Sequence, residues 1–155
     1  MSIMKPSQFR SGGSASIIAL LWAVPSLASA AGLALPTGGQ VTAGAAGILS
    51  SASQLTVNQT SSRAVINWNS FNVDKGAAVV FNNGAGATLN RVVGTGVANI
   101  GGTITASGSV FLMDPAGVII SSTGRITVGG NFVASTLSLS DSAVRHTGRV
   151  VGVTV

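Results

Sequence analysis

The feature that most limits what this chain can become is the shortness of its apolar runs. Stretches rich in Val, Ile, Leu and Phe recur at 54–58, 64–68, 78–81, 88–92, 103–105, 109–113, 118–120 and 125–128, each only three to five residues long. Gly, Asn, Ser or the pair Asp114-Pro115 stands between most of them, and such punctuation marks tight turns between strands. Several runs alternate, as in Arg125-Ile126-Thr127-Val128, which sends one face inward and leaves the other in water. No run beyond the first thirty residues has amphipathic helical spacing. The 21 Gly in 155 residues double the usual share of ~7% and weaken any helix. An all-β fold of one domain is expected.

Composition narrows the function classes. Only 7% of residues are charged and Glu is absent, so the exposed faces of a coiled coil or charged bundle have no source. Hydrophobic residues make up 46% and mean hydropathy is +0.57, which provides a core and disfavours disorder. The pI near 11.7 reflects missing acids more than clustered bases. Lys5, Arg10, Arg63, Lys75, Arg91, Arg125, Arg145 and Arg149 are scattered and form no stripe that would track a phosphate backbone. Nucleic acid is not an expected partner. Cysteine is absent, which is compatible with export and does not by itself assign a compartment.

Residues 1–30 have the order of an export signal. Lys5 and Arg10 form a basic start, residues 17–24 an apolar centre, and Ala28-Ser29-Ala30 a small-residue cleavage site. Eight apolar residues ending at Pro25 are too few for a membrane span, which needs ~20. Signal peptidase is therefore expected to cut between Ala30 and Ala31, leaving a chain from Ala31 with six basic and three acidic residues.

A shift of 22 residues aligns 102–111 with 124–133, so that Gly, Ile, Thr and Gly recur and apolar residues follow. A unit of that length with about three short strands suits one coil of a parallel β-helix, each coil advancing ~4.8 Å along the axis. Ile104 and Ile126 would then stack. Chance coincidence in a Gly- and Thr-rich chain is the competing reading, with a β-sandwich as the alternative fold.

The run 59–73, containing Asn67-Trp68-Asn69-Ser70-Phe71, is followed by Leu89-Asn90-Arg91-Val92, Ile100-Gly101-Gly102, the run 108–118 around Asp114-Pro115-Ala116-Gly117, and Val133-Ala134-Ser135-Thr136. In content and order these motifs resemble the amino-terminal secretion domain of filamentous haemagglutinin-like exoproteins, over residues 35–139. The resemblance implies a right-handed parallel β-helix and two-partner secretion. A dedicated outer-membrane β-barrel transporter would recognise the domain in the periplasm and export the exoprotein to the surface or medium of a Gram-negative bacterium. It divides the chain into a signal peptide (1–30), a secretion domain and folding scaffold (31–140) and a divergent or truncated tail (141–155). Cell-surface receptors or glycans are further candidate partners of such an adhesin-type exoprotein.

The resemblance singles out Asn90, Arg91, Asp114, Pro115, Ala116 and Gly117 as candidate recognition residues. The family's turn reads Asn-Pro-Asn-Gly, and Ala116 lacks the amide that the Asn at the third position would offer. Pro115 sets the first central φ, Gly117 permits a positive φ, and Asp114 can accept a following backbone N–H. The motif is equally readable as a plain turn. Asn90 is expected to bond within a coil while Arg91 projects outward.

Signs of catalysis are weak. His146 is the single His, and the carboxylates Asp74, Asp114 and Asp141 are widely spread, which suits neither a Ser-His-Asp triad nor a zinc site. Gly84-Ala85-Gly86 and Gly94-Thr95-Gly96 read as turns, since no third Gly or crossover helix completes a dinucleotide fingerprint. Asn58-Gln59-Thr60 is a short glycosylation sequon. Trp68 and Phe71 would fill the core or, in a lesser reading, stack on carbohydrate. The chain is expected to be no enzyme and to need no cofactor, with a β-helical polysaccharide-active enzyme or a direct adhesion module as alternatives.

Overall fold

A computed structural model of the chain describes residues 32–137. The expected signal with Ala28, Ala30 and Ala31, and the expected tail with Asp141 and His146, lie outside them. The described residues form twelve strands and no helix: β1 (Gln40–Ala43), β2 (Ala46–Ser50), β3 (Gln54–Gln59), β4 (Arg63–Trp68), β5 (Ala78–Asn82), β6 (Ala87–Val92), β7 (Ala98–Ile100), β8 (Thr103–Ala106), β9 (Ser109–Met113), β10 (Val118–Ile120), β11 (Arg125–Val128) and β12 (Phe132–Ser135). They wind into a β-solenoid of about four turns. One sheet runs β11-β8-β5-β3-β2, a second β1-β4-β6-β9-β12, and β10-β7 make a third face. The sandwich alternative is thereby excluded, because β3 to β12 pair in parallel from coil to coil.

Register turns the sequence alternation into stacked columns. Leu55 stands against Val79, Val79 against Ile104, and Ile104 against Ile126. The first three are buried, and Ile126 packs against them at the last described coil. Each such aliphatic side chain contributes about 1.5–3 kcal/mol on burial. The 22-residue echo is thus one step of this column. Earlier steps escape a fixed shift because coil length varies: the Asn58–Asn82 side-chain bond joins residues 24 apart, whereas Trp68 and Asn90 are 22 apart.

Trp68 and Phe71 are core residues, each 1% exposed, with rings edge to face at 5.7 Å and 84°. Burial rules out carbohydrate stacking on either. A polar seam also crosses the coils. Asn83 Nδ2 donates to Thr88 Oγ1 and to the Ser109 carbonyl, Thr88 donates to Gln59 Oε1, and Asn83 Oδ1 accepts the Gly108 N–H. The buried side chains of this seam are thereby paired with one another and with backbone, as burial of polar groups requires.

The two ends differ. At the start, β1 lies antiparallel on β4 and β2 antiparallel on β3, closing the first coil. The turn between β1 and β2 uses Gly44 at φ +77°, where a Cβ would meet the Arg63 carbonyl. At the other end, β10, β11 and β12 each have a neighbour on one side only among the described residues.

Candidate functional site

The turn 114–117 joins β9 to β10 and is built from the inside out. Asp114 is fully buried, and its N–H donates to the Ser135 carbonyl at 3.0 Å, tying the turn to the next coil. Its carbonyl accepts the Gly117 N–H at 3.0 Å and its Oδ1 accepts the Ala116 N–H at 2.9 Å. A β-turn and an Asx turn are therefore superposed, with Pro115 preset for the first central position. Gly117 has φ +129°, and the Ala98 N–H donates to its carbonyl, which passes the geometry on to the third face. Asp114 Oδ2 is buried with no hydrogen-bond partner among the described residues.

The outcome is a sharp division of labour. Asp114 is an anchor inside the solenoid, whereas Pro115 and Ala116 are exposed at the tip and Gly117 is partly exposed. The tip is held on both sides by hydrogen bonds.

Asn90 and Arg91 sit elsewhere, on β6, and point to opposite faces. Asn90 is buried, accepting the Trp68 indole N–H at 2.9 Å and donating to the Phe111 carbonyl at 3.3 Å. Arg91 is partly buried on the outward face, in register with Asn67 and Met113. The six sequence candidates do not form one patch. Pro115 and Ala116 are exposed, Gly117 is partly exposed, Asp114 and Asn90 are buried anchors, and Arg91 belongs to a separate surface.

That outward surface was not legible as special. Val65, Leu89 and Met113 alternate with inward residues and yet are each 2% exposed, forming a small cluster with Ala43 and Phe111. The available signal was an apolar residue at both alternate positions of β4, as in Ala64-Val65-Ile66.

The described carboxylates serve backbone. Asp74 Oδ2 accepts the Ala34 N–H at 2.8 Å, as Asp114 does for Ala116. Among the described residues no cluster of three or more His, Asp or Glu could hold a metal. Gly84-Ala85-Gly86 and Gly94-Thr95-Gly96 lie in turns.

Parallel coils, an antiparallel cap at the first coil and an anchored exposed turn define a capped β-solenoid. The TPS secretion domain model matches residues 33–147, and the chain belongs to that family, the secretion domain of two-partner exoproteins. It is similar to the Heme/hemopexin-binding protein of Haemophilus influenzae, at 33% identity over 103 residues, covering 65% of this chain and 11% of that protein. A second Heme/hemopexin-binding protein of Haemophilus influenzae is 38% identical over 81 residues, covering 51% of this chain and 9% of that one. The crystal structure of the HMW1 secretion domain from Haemophilus influenzae superposes with a TM-score of 0.63 at 29% identity, covering 71% of this chain and 30% of that chain. The chain therefore spans only a small part of the length of the curated relatives it matches.

Proposed function

We propose that the mature chain, starting at Ala31, is read in the periplasm by an outer-membrane β-barrel transporter through the exposed tip Pro115-Ala116, with Asp114 and Gly117 holding that tip in shape. The observation that carries this reading is the contrast within the turn: Asp114 is buried and its Oδ1 is bonded, while Pro115 and Ala116 are exposed. Asn90 acts through the core, by holding Trp68, and Arg91 acts on the outward face.

Folding supplies direction. Among the described residues β10, β11 and β12 each have a neighbour on one side only, and such an edge can template strands of the chain that follows. Export of unfolded chain followed by stacking at the cell surface is thereby favoured over return. The domain acts by shape and needs no catalytic group. Haem or hemopexin binding belongs to the named relatives, and the part of them that this chain matches is too small to bring it here.

Two measurements test the reading. Mass spectrometry of exported protein should give an amino terminus at Ala31, and intact 1–30 would contradict processing. Purified mature chain should bind the periplasmic portion of its transporter, and Ala116→Asp, at an exposed position of the tip, should weaken that binding while melting changes little. Binding unaffected by the tip substitution would overturn recognition through the turn.

A further inference from the structure

Asn83-Gly84 is the single Asn-Gly pair in the 155 residues, and such a pair has a chemistry of its own. The backbone N of the following residue can attack the side-chain amide carbon, and glycine, which lacks a Cβ, leaves that approach unhindered. In the fold the same amide is fully occupied. Asn83 is buried. Its Nδ2 donates to Thr88 Oγ1 at 3.1 Å and to the Ser109 carbonyl at 2.9 Å, while its Oδ1 accepts the Gly108 N–H at 2.6 Å and the Ser107 hydroxyl at 3.2 Å. Both donors and both acceptor positions of the amide are thus used. The Asn83 carbonyl accepts the Gly86 N–H at 2.8 Å and so closes the turn around Gly84. Forming a ring onto the Gly84 N would make the planar amide carbon tetrahedral and pull its N and O away from these side-chain partners, three of which belong to residues 107–109 of the next coil.

We propose that Asn83 is a self-modification site, open to deamidation while the chain is unfolded and closed by folding. In the unfolded chain the Gly84 N gives up its proton to water and bonds to Asn83 Cγ, and Nδ2 leaves as ammonia. Water then opens the cyclic imide at either carbonyl–N bond, which leaves an aspartate or an isoaspartate at position 83. Neither product rebuilds the polar seam. A carboxylate has no N–H for Thr88 Oγ1 or for the Ser109 carbonyl, and it sets a negative oxygen against that carbonyl in a buried place. Isoaspartate also routes the main chain through the side-chain carbon and lengthens the turn that Gly86 closes. Deamidated chain therefore loses competence to fold, and the amide at position 83 records time spent unfolded. The inference stands apart from transporter recognition, since it involves only the folded and the unfolded chain.

The test holds the full chain at one mildly alkaline pH, in buffer or in guanidinium chloride, and follows deamidation by mass spectrometry of tryptic peptides. Trypsin releases residues 76–91, bounded by Lys75 and Arg91, and fragment masses separate Asn83 from Asn82 and Asn90. In denaturant the amide-to-acid mass gain is expected at Asn83 first, as a pair of aspartyl and isoaspartyl peptides. In buffer it should be about tenfold or more slower, the protection expected where opening must precede reaction. Gly84→Ala should slow the gain in denaturant, a state in which the φ of +56° that Gly84 has in the fold plays no part. On dilution from denaturant, unmodified chain should recover the parent melting transition and modified chain should not. Equal rates in buffer and denaturant, an earlier gain at another Asn, no effect of Gly84→Ala, or full recovery of melting by modified chain would each overturn the proposal.

Discussion

The Trp68 indole N–H donates to Asn90 Oδ1 at 2.9 Å inside the solenoid, joining successive coils through side chains rather than backbone. Asn90 then passes the connection on to the Phe111 carbonyl of the following coil, so three coils share one buried polar relay within an otherwise apolar core. Parallel pairing alone leaves coils free to slip in register, and a buried donor that finds its acceptor in one register penalises slippage.

Removing either end of that relay should cost more than a surface change. Asn90→Leu leaves the indole donor unpaired, and Trp68→Phe leaves the Asn90 acceptor unpaired, each costing about 1–3 kcal/mol through the stranded group, with lost packing added for the Trp. Denaturant unfolding of both single variants and the double variant should show the double less destabilised than the sum. Strict additivity would mean that the bond contributes nothing.

The stacked column predicts a graded response to charge. Ile104→Asp places a carboxylate among residues with no exposure, whereas Ile126→Asp sits where the column is only partly covered. Both should lower the melting temperature, Ile104→Asp by more, since an unpaired buried charge is among the most damaging changes. Equal, negligible shifts would contradict the column.

At Gly117 the expected cost comes from conformation rather than space. A Cβ there would meet Val97 at 3.5 Å, an ordinary contact, but φ is +129°. Gly117→Val should destabilise by about 1–3 kcal/mol, as a strained backbone position does, and Gly117→Ala should also destabilise. Thermal melts of both, unchanged from the parent, would show that the turn relaxes freely.

Thr88 tests the polar seam. Thr88→Val keeps the shape but removes the hydroxyl that donates to Gln59 Oε1 and accepts from Asn83 Nδ2. A loss of about 1–3 kcal/mol is expected from two buried groups left unsatisfied, measured by chemical unfolding. A neutral result would mean that the seam rearranges around the gap.

How much of this was readable beforehand differs between elements. β9, β10 and β11 have the bounds expected from their apolar runs, because turn residues frame them on both sides. The cap strands β1 and β2 were missed, since Gln40–Ala43 and Ala46–Ser50 are Ala- and Gly-rich and owe their pairing to the first coil rather than to propensity. β7 is a three-residue strand held by its register with β10. Within the candidate site, the Asx bond of Asp114 and the positive φ of Gly117 follow from residue type. The burial of Asp114 does not, because it depends on the coil packed beside it. Outward Val65 and Leu89 look like ordinary strand residues until their exposure is known.

The most direct measurement of the central claim is secretion in a host that carries the cognate transporter, compared with melting of the same purified chains. Secreted and periplasmic amounts would be followed for the parent, Ala116→Asn and Gly117→Val, with and without the transporter. The account predicts transporter-dependent secretion, maintained or improved by Ala116→Asn at unchanged stability, because an exposed amide adds hydrogen-bonding capacity at the tip, and reduced by Gly117→Val. Secretion that is independent of the transporter and equal for the parent and Gly117→Val would contradict it.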